Sequence, residues 1–499
     1  MAYKNLNEFV EQLDTAGELV RVSAPVSRDL EITEITDRIS KGAPEFNKAL
    51  LFERVEGFDM PVLINALGNE RRMAMALGVS SLEELRHNLA SLIDMKLPQG
   101  MGATLGRAGE LISALRAVGL KPNRVRKGRC QEVVHLEDAS LASLPVLRCW
   151  PKDGGRYITL MQVITRDPET DQRNVGMYRI QVYDDKTAAM HWQRHKGGAE
   201  HERRANKLGQ ERIPVAVVLG GDPAQMWCAS APLPPGIDEY LLAGWLRGKP
   251  VEFVPCVSQP LEVPADAEIV IEGYVDPADQ RLEGPFGDHT GYYTPADHFP
   301  TLHVTAITHC KEPIYPTTIV GRPPMEDYWM GKATERLFLP LMQIFQGEIV
   351  DVNMPAEGVF HNLIIVSIKK RYPGHPFKVC YGLWGLGLMM LTKAIVVVDE
   401  DVDVHNLSEV AWRVMGNVDW RRDVTVVDGP TDQLDHSSLR ESFGGKIGID
   451  ATAKNAEDGH ARGWPEELVM SPEIRALVNQ KWTSYGLPAD PTGEQVDSL

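Results

Sequence analysis

AEIVIEGYV (267–275) and LHVTAIT (302–308) decide the fold of this 499-residue chain. Both are rich in β-branched residues, both lack a helical apolar stripe, and Gly or Pro punctuates their ends. Four further runs share the texture: LMQVIT (160–165), MYRIQVY (177–183), PVAVVLGG (214–221) and VEFVPC (251–256). Short strands repeated in this way predict a β-barrel or sandwich with a few inserted helices over residues 126–320. Residues 1–125 differ. Leu6, Phe9, Val10 and Leu13 fall at helical spacing before Gly17, and Ser81 with Glu84 reads as a capping box ahead of Leu85, Leu89 and Leu92. Between 321 and 460 the apolar runs NLIIVSI (362–368) and AIVVVDE (394–400) are separated by stretches long enough for helices. The order is therefore α/β, β, α/β, followed by a tail over 461–499. In that tail Ser471 reads as an N-cap, Pro472 as the first helical residue, and Ile474, Leu477, Val478 and Trp482 as one stripe. Such an isolated helix is expected to dock on its own subunit or on a neighbouring copy.

A chain of this length needs two or three cores. Apolar residues make up 43% and charged residues 24%, ordinary globular values, and no apolar run is long enough to span a bilayer. The N-terminus lacks the apolar stretch of a secretory signal. Net charge is −17, and basic residues are scattered apart from Arg124–Arg129 and Arg194–Arg204, which disfavours nucleic-acid binding. Six cysteines without a C-x-x-C pair point to reduced thiols and a cytoplasmic setting. The P-loop, G-x-G-x-x-G, H-E-x-x-H and G-x-S-x-G motifs are all absent, which weakens kinase, Rossmann, zincin and hydrolase readings. Asp399, Asp401 and Asp403 imitate a calcium loop, but Val404 and Val410 stand where its glycine and glutamate belong.

Three constellations carry chemistry. In NVGMYRIQVYDDKTAAMHWQRHKGG (174–198), Asn174 and His195 offer oxygen and nitrogen donors to a divalent cation, and Arg179 can grip a carboxylate. On an ideal strand Asn174 and Arg179 would face opposite ways; a bulge at Gly176 would change that parity. In LEGPFGDHTGYY (282–293), Glu283 and Asp288 bracket a tight turn beside His289 and could divide acid and base roles. In PPGIDEYLLAGWLRG, Glu239 opens a helix, where an acid is favoured by the dipole in any case.

These segments, in this order and together with LEITEITDR (30–38), ALGNERRMAMALG (66–78), GRPPMED (321–327), LTKAIVVVDEDVDV (391–404) and GGKIGIDAT (444–452), resemble the UbiD family of decarboxylases. The resemblance covers most of the chain and is closest to the branch acting on 4-hydroxy-3-polyprenylbenzoate in quinone biosynthesis. It implies an α/β multidomain fold with a central flavin-reductase-like split β-barrel. It also implies prenylated FMN, supplied by a separate flavin prenyltransferase and held with Mn2+ or a similar divalent cation, often with K+ nearby. By motif match Asn174, His195 and Glu239 would be the metal ligands. Met177, Tyr178, Arg179, His191, Trp192, Gln193, Lys196 and Gly197 would line the cofactor. Glu283, Arg179 and Asp288 would form the catalytic triad, with Arg179 orienting the substrate carboxylate, Asp288 as proton donor and His289 as a relay. GRPPMED would be a lid. A homodimer or homohexamer is implied, with peripheral membrane contact if the substrate is polyprenylated. Alternatives are a reversible decarboxylase of a free hydroxybenzoate, a naphthoate decarboxylase of menaquinone synthesis, a plain-FMN reductase and a non-catalytic binding protein.

Overall fold

Strand Arg156–Ile158 lies at one edge of the largest sheet, yet the chain reaches Gln162–Arg166, next to the opposite edge, through Thr159, Leu160 and Met161 alone. Four residue steps reach at most about 14 Å, whereas six strand spacings across a flat sheet need about 29 Å. The sheet must curl until its edges meet. The same crossing recurs from Arg173–Gly176, at the far edge, to Ile180–Val182 through Met177, Tyr178 and Arg179. This is the split barrel expected from the sequence, in a computed structural model that describes residues 2–96, 121–193, 196–233 and 237–487.

Among the described residues this sheet has nine strands. Its path runs Arg156–Ile158, Ile180–Val182, Thr187–Met190, Asp297–His309, Ile269–Glu283, Ile213–Leu219, Gln162–Arg166 and Arg173–Gly176, with Val133–His135 pairing Asp297–His309. Every pairing in it is antiparallel. PVAVVLGG is apolar throughout because its strand is covered on both faces: Val215, Val217 and Leu219 enter one core, Ala216 and Val218 the other.

The N-terminal sheet is ordered Leu19–Val22, Ala49–Phe52, Val62–Ile64 and Tyr315–Pro316, so the chain returns to it after leaving the barrel. Helix Leu6–Thr15 buries Leu6, Phe9, Val10 and Leu13 as predicted, capped by the Asn5 side chain. The predicted capping box is shifted by one residue, because Glu84 accepts from the backbone N–H of Ser80 at 2.7 Å rather than from Ser81.

Helix Glu326–Phe345 leads from the barrel into a five-stranded sheet ordered Ile349–Asn353, Leu363–Ile368, Ala394–Asp399, Phe443–Asp450 and Val424–Pro430. Its three central strands are parallel. These elements belong to one compact unit, Met1–Arg371 with His375–Thr452. The second unit joins Tyr372–Gly374 to the stretch from Ala453 onward. Its helix Pro472–Lys481 is N-capped by Ser471, and Ile474 and Leu477 are exposed. No helix among the described residues is long and apolar enough to cross a membrane, and none of the six cysteines is bonded to another.

Candidate active site

Arg179 sits in the seam where the barrel edges meet. Gly176 ends its strand rather than bulging, and the chain crosses the seam before Ile180 begins the next strand, so the predicted parity conflict between Asn174 and Arg179 never arises. Tyr178 folds back over Gly176, where a methyl group would lie 2.3 Å from its ring. The buried Tyr178 hydroxyl accepts from the backbone N–H of Gly198 at 3.0 Å and from Asn174 Nδ2 at 3.4 Å, tying the seam to the start of helix Gly197–Lys207. Gly176→Ala is therefore expected to destabilise the protein by about 1–3 kcal/mol through overpacking, read as a lowered thermal midpoint.

Glu283, fully buried at the end of strand Ile269–Glu283, grips the Arg179 guanidinium along one edge, with Nε to Oε1 at 2.8 Å and Nη2 to Oε2 at 3.1 Å. Nη1 donates to Asp288 Oδ2. The Phe286 ring lies 4.7 Å from the guanidinium carbon. Behind Glu283, His191 Nδ1 lies 3.0 Å from Oε2. Burial pushes the His191 imidazole towards its neutral form, reinforced by the Arg179 charge, so Nδ1 carries the proton donated to Glu283 and Nε2 is left as an acceptor.

The residues around Asp288 form a short hairpin, Phe286–Gly287 against Tyr293–Thr294. Asp153 braces its entry by accepting from the N–H of Gly287 at 2.8 Å, and a methyl group at Gly287 would lie 2.2 Å from the Trp150 ring. Asp288 Oδ1 faces His289 Nδ1 at 2.9 Å, and its Oδ2 also accepts from Thr294 Oγ1 at 3.0 Å. Burial opposes its negative charge, but the His289 hydrogen bond and the Arg179 charge outweigh burial and hold Asp288 far below the usual carboxylate range. Glu283 is held down in the same way, by His191 and Arg179. His289 is raised, since Asp288 outweighs the cost of burying the imidazolium.

Around this triad several buried polar atoms lack a partner among the described residues: His191 Nε2, Trp192 Nε1, Asp327 Oδ2 and His361 Nδ1. Trp192 is buried against Gly198, where a methyl group would lie 2.6 Å from its indole. The Gln193 carbonyl accepts from the N–H of Lys196 at 3.0 Å, and Lys196 is the N-cap of helix Gly197–Lys207. Met177 packs, partly buried, against both barrel cores. GRPPMED borders the same region: a methyl group at Gly291 would lie 3.2 Å from the Arg322 backbone, and Glu326 is anchored by the N–H of Leu67 at 2.6 Å.

Of the three expected metal ligands, His195 lies outside the described residues. Among those described, no group of three His, Cys, Asp or Glu side chains could hold a metal by itself. Asn174 and Glu239 do come together at one strand end, since Glu239 Oε2 accepts from the N–H of Val175 at 2.9 Å. Asn174 Oδ1 lies against Gly197, 2.0 Å from where a methyl group there would sit. Burial pushes the Glu239 carboxyl up to about 8, against the backbone N–H of Val175 and the Arg173 charge, which lower it. An oxygen-rich cation site fits this donor pair.

Three consecutive family models, each described as a domain of 3-octaprenyl-4-hydroxybenzoate carboxy-lyase, match this chain. The N-terminal domain matches residues 10–92, the Rift-related domain 123–323 and the C-terminal domain 328–451. The chain belongs to the UbiD family. An uncharacterized Aquifex aeolicus protein is 50% identical over 97% of this chain and 99% of its own length. The closed form of Sedimentibacter hydroxybenzoicus vanillic acid decarboxylase superposes with a TM-score of 0.85 at 28% identity, covering 98% of this chain and 100% of that one. The open form of the same enzyme gives 0.78. An evolved dimeric form of the UbiD-class enzyme HmfF from Pelotomaculum thermopropionicum, in complex with prFMN, gives 0.77 at 27% identity, covering 95% and 98%. The chain is thus a UbiD-type carboxy-lyase.

Sequence reasoning missed two neighbours of the UbiD site. Asp327, at the start of helix Glu326–Phe345, is pushed by burial up to about 7 and feels the His289 charge. His361, between the barrel and the five-stranded sheet, brings its Nε2 within 2.7 Å of His289 Nε2. Asp327 could have been suspected as the last residue of GRPPMED, but MPAEGVFHN (354–362) carries no spacing signal that marks its histidine.

Proposed function

We propose that the chain removes CO2 from an aromatic, phenolic carboxylic acid without net oxidation, with 4-hydroxy-3-polyprenylbenzoate of quinone biosynthesis as first candidate substrate. It would do so with prenylated FMN held by a divalent cation such as Mn2+ at Asn174, His195 and Glu239, with K+ nearby. The observation that carries this reading is one buried guanidinium, Arg179, held between the buried carboxylates Glu283 and Asp288. A flavin reductase has no need of that arrangement. Membership of a carboxy-lyase family and the cofactor of HmfF support it.

Losing CO2 from an aromatic ring leaves an electron pair on an sp2 carbon, and prenylated FMN, when bound, supplies the electron sink that side chains lack. The unpartnered His191 Nε2 and Trp192 Nε1 offer such a group an acceptor and a donor. Glu283 fixes the guanidinium plane by its paired hydrogen bonds, which pre-orients Arg179 for a second carboxylate. The substrate carboxylate then competes with Asp288 for Nη1. Its negative charge beside Asp288, and the loss of the Arg179 contact, raise the Asp288 pKa. Asp288 takes a proton from His289 and delivers it to the ring carbon as CO2 leaves. Decarboxylation removes a negative charge from a low-dielectric pocket, so burial favours the forward direction.

Mass and absorbance analysis of protein co-expressed with a flavin prenyltransferase tests the cofactor. Stoichiometric prenylated FMN is expected; plain FMN, or no flavin, would return the chain to the reductase or binding-protein alternative. CO2 release from polyprenylated hydroxybenzoates, free hydroxybenzoates and naphthoates then chooses the substrate. A polyprenyl tail would require peripheral membrane contact, and the exposed tail helix suits assembly of a homodimer or homohexamer.

The metal-free protein gives a separate test at Glu239. A carboxyl with a pKa of 4.5 when exposed and about 8 when buried here stabilises the fold below pH 4.5, and that contribution is lost as pH rises through about 8. The thermal midpoint of metal-free protein should fall over that window, and Mn2+ should restore it. Glu239→Gln should remove the pH dependence and weaken metal and cofactor retention. An unchanged metal content in that variant would contradict the ligand assignment.

A further inference from the structure

His361 reaches the active site from outside the barrel, just before strand Leu363–Ile368 of the five-stranded sheet. Its Nε2 lies 2.7 Å from His289 Nε2, their ring centroids are 5.0 Å apart, and no described residue pairs with its Nδ1. Two imidazole nitrogens at that distance must share one proton, since two lone pairs or two N–H groups would repel. The backbone that presents His361 is strained. Val359 and Phe360 both have positive φ, 49° and 37°, outlying conformations for a β-branched and a bulky aromatic residue. Hydrogen bonds from Val359 to Ala356 at 3.0 Å and from Phe360 to Pro355 at 3.1 Å hold the turn. The Phe360 ring packs over Gly331, 3.2 Å from where a methyl group there would sit, and lies 5.5 Å from the His289 ring.

We propose that His361 is a positioning residue for proton delivery, accepting at Nε2 from a charged His289 so that the imidazolium stands loaded and aimed at Asp288. This role rests on Asp288 and His289 being the proton source. In the step, the bond between the ring carbon and the carboxylate breaks, CO2 leaves, and the ring carbon takes the Asp288 proton. That proton came from His289 Nδ1, which becomes neutral while keeping its Nε2–H on His361. One proton from solvent recharges His289 for each CO2 released, so charge balances over the cycle.

The surrounding charges favour this distribution. His289 faces Asp288 on its own loop, Asp327 on helix Glu326–Phe345, and Asp432 from the segment between strands Val424–Pro430 and Phe443–Asp450. His361 faces His289, Asp432, Lys196 and Asp288. Burial, and then the His289 charge, push His361 down to about 4, which keeps it neutral and accepting.

The test compares wild type, His361→Leu, His361→Gln and Asp288→Asn, each loaded with prenylated FMN, by kcat, KM and the pH profile of CO2 release. Leucine removes the acceptor; glutamine replaces it with an amide oxygen. His361→Leu should lower kcat about 100-fold with KM changed less than about threefold. Its alkaline limb should move to lower pH, because the charged His289 loses the partner of its Nε2–H. His361→Gln should recover about tenfold of kcat and part of the limb. An unmoved limb in His361→Leu, or glutamine no better than leucine, while Asp288→Asn is inactive, would overturn the role of His361 and leave the site assignment standing. Full activity in Asp288→Asn as well would overturn both.

Discussion

Arg179→Ala is expected to lower kcat/KM for decarboxylation by more than about 1,000-fold, because it removes both the carboxylate clamp and the group that aligns substrate with Asp288. It should also cost stability. Glu283 is fully buried and Asp288 nearly so, and each makes an ion pair with Arg179. Removing the shared cation leaves two buried acids, a change that costs about 3–5 kcal/mol for a typical buried pair. His191 and His289 remain beside the two acids and soften that loss. Glu283 is held down to about 2 from 4.5, so its stabilising contribution is present above pH 4.5 and lost as pH falls towards 2. The gap in thermal midpoint between wild type and Arg179→Ala should therefore be wide at neutral pH and close in acid. Arg179→Lys keeps the charge but cannot reproduce the paired contact to Glu283 with a further edge free, so it should recover stability more than rate.

Asp288→Asn is expected to lower kcat by about 1,000-fold or more and to lower the thermal midpoint at neutral pH by less than Arg179→Ala does, because Arg179 loses one of its two paired anions and keeps Glu283. The amide is nearly isosteric, and its oxygen can still accept from Thr294 or from the N–H of His289, the contacts the carboxylate makes now. It cannot carry the proton. Substrate binding should tighten or stay unchanged, because asparagine competes less well than aspartate for Arg179 Nη1. A variant with wild-type kcat would remove Asp288 from the proton path; a rise in KM with kcat retained would make it a binding residue only.

The barrel was legible in the sequence because its strands are local and apolar: PVAVVLGG and AEIVIEGYV pair with each other over Ile213–Leu219 and Ile269–Val275 as their composition suggests. The seam was not. Nothing in MYRIQVY says that its first three residues cross between barrel edges, so the parity of Asn174 and Arg179 looked wrong until the closure of the sheet was visible. The residues that motif resemblance joined as a triad do meet, although Arg179 and Glu283 are separated by 104 residues, a contact no periodicity could reveal. His361 escaped for the same reason and lacked a motif as well. His195 belongs to the most informative segment of the sequence and lies outside the described residues, so of the three expected metal ligands the structure describes only Asn174 and Glu239.

The most direct measurement is CO2 release from a panel of phenolic acids by the prenylated-FMN-loaded protein, run beside Arg179→Ala. Release from at least one acid by wild type, with loss in the variant by more than about 1,000-fold, is the predicted result. Cofactor-loaded wild type that releases no CO2 from any of them, or an Arg179→Ala variant that releases it as fast as wild type, would contradict a decarboxylase built on this buried guanidinium.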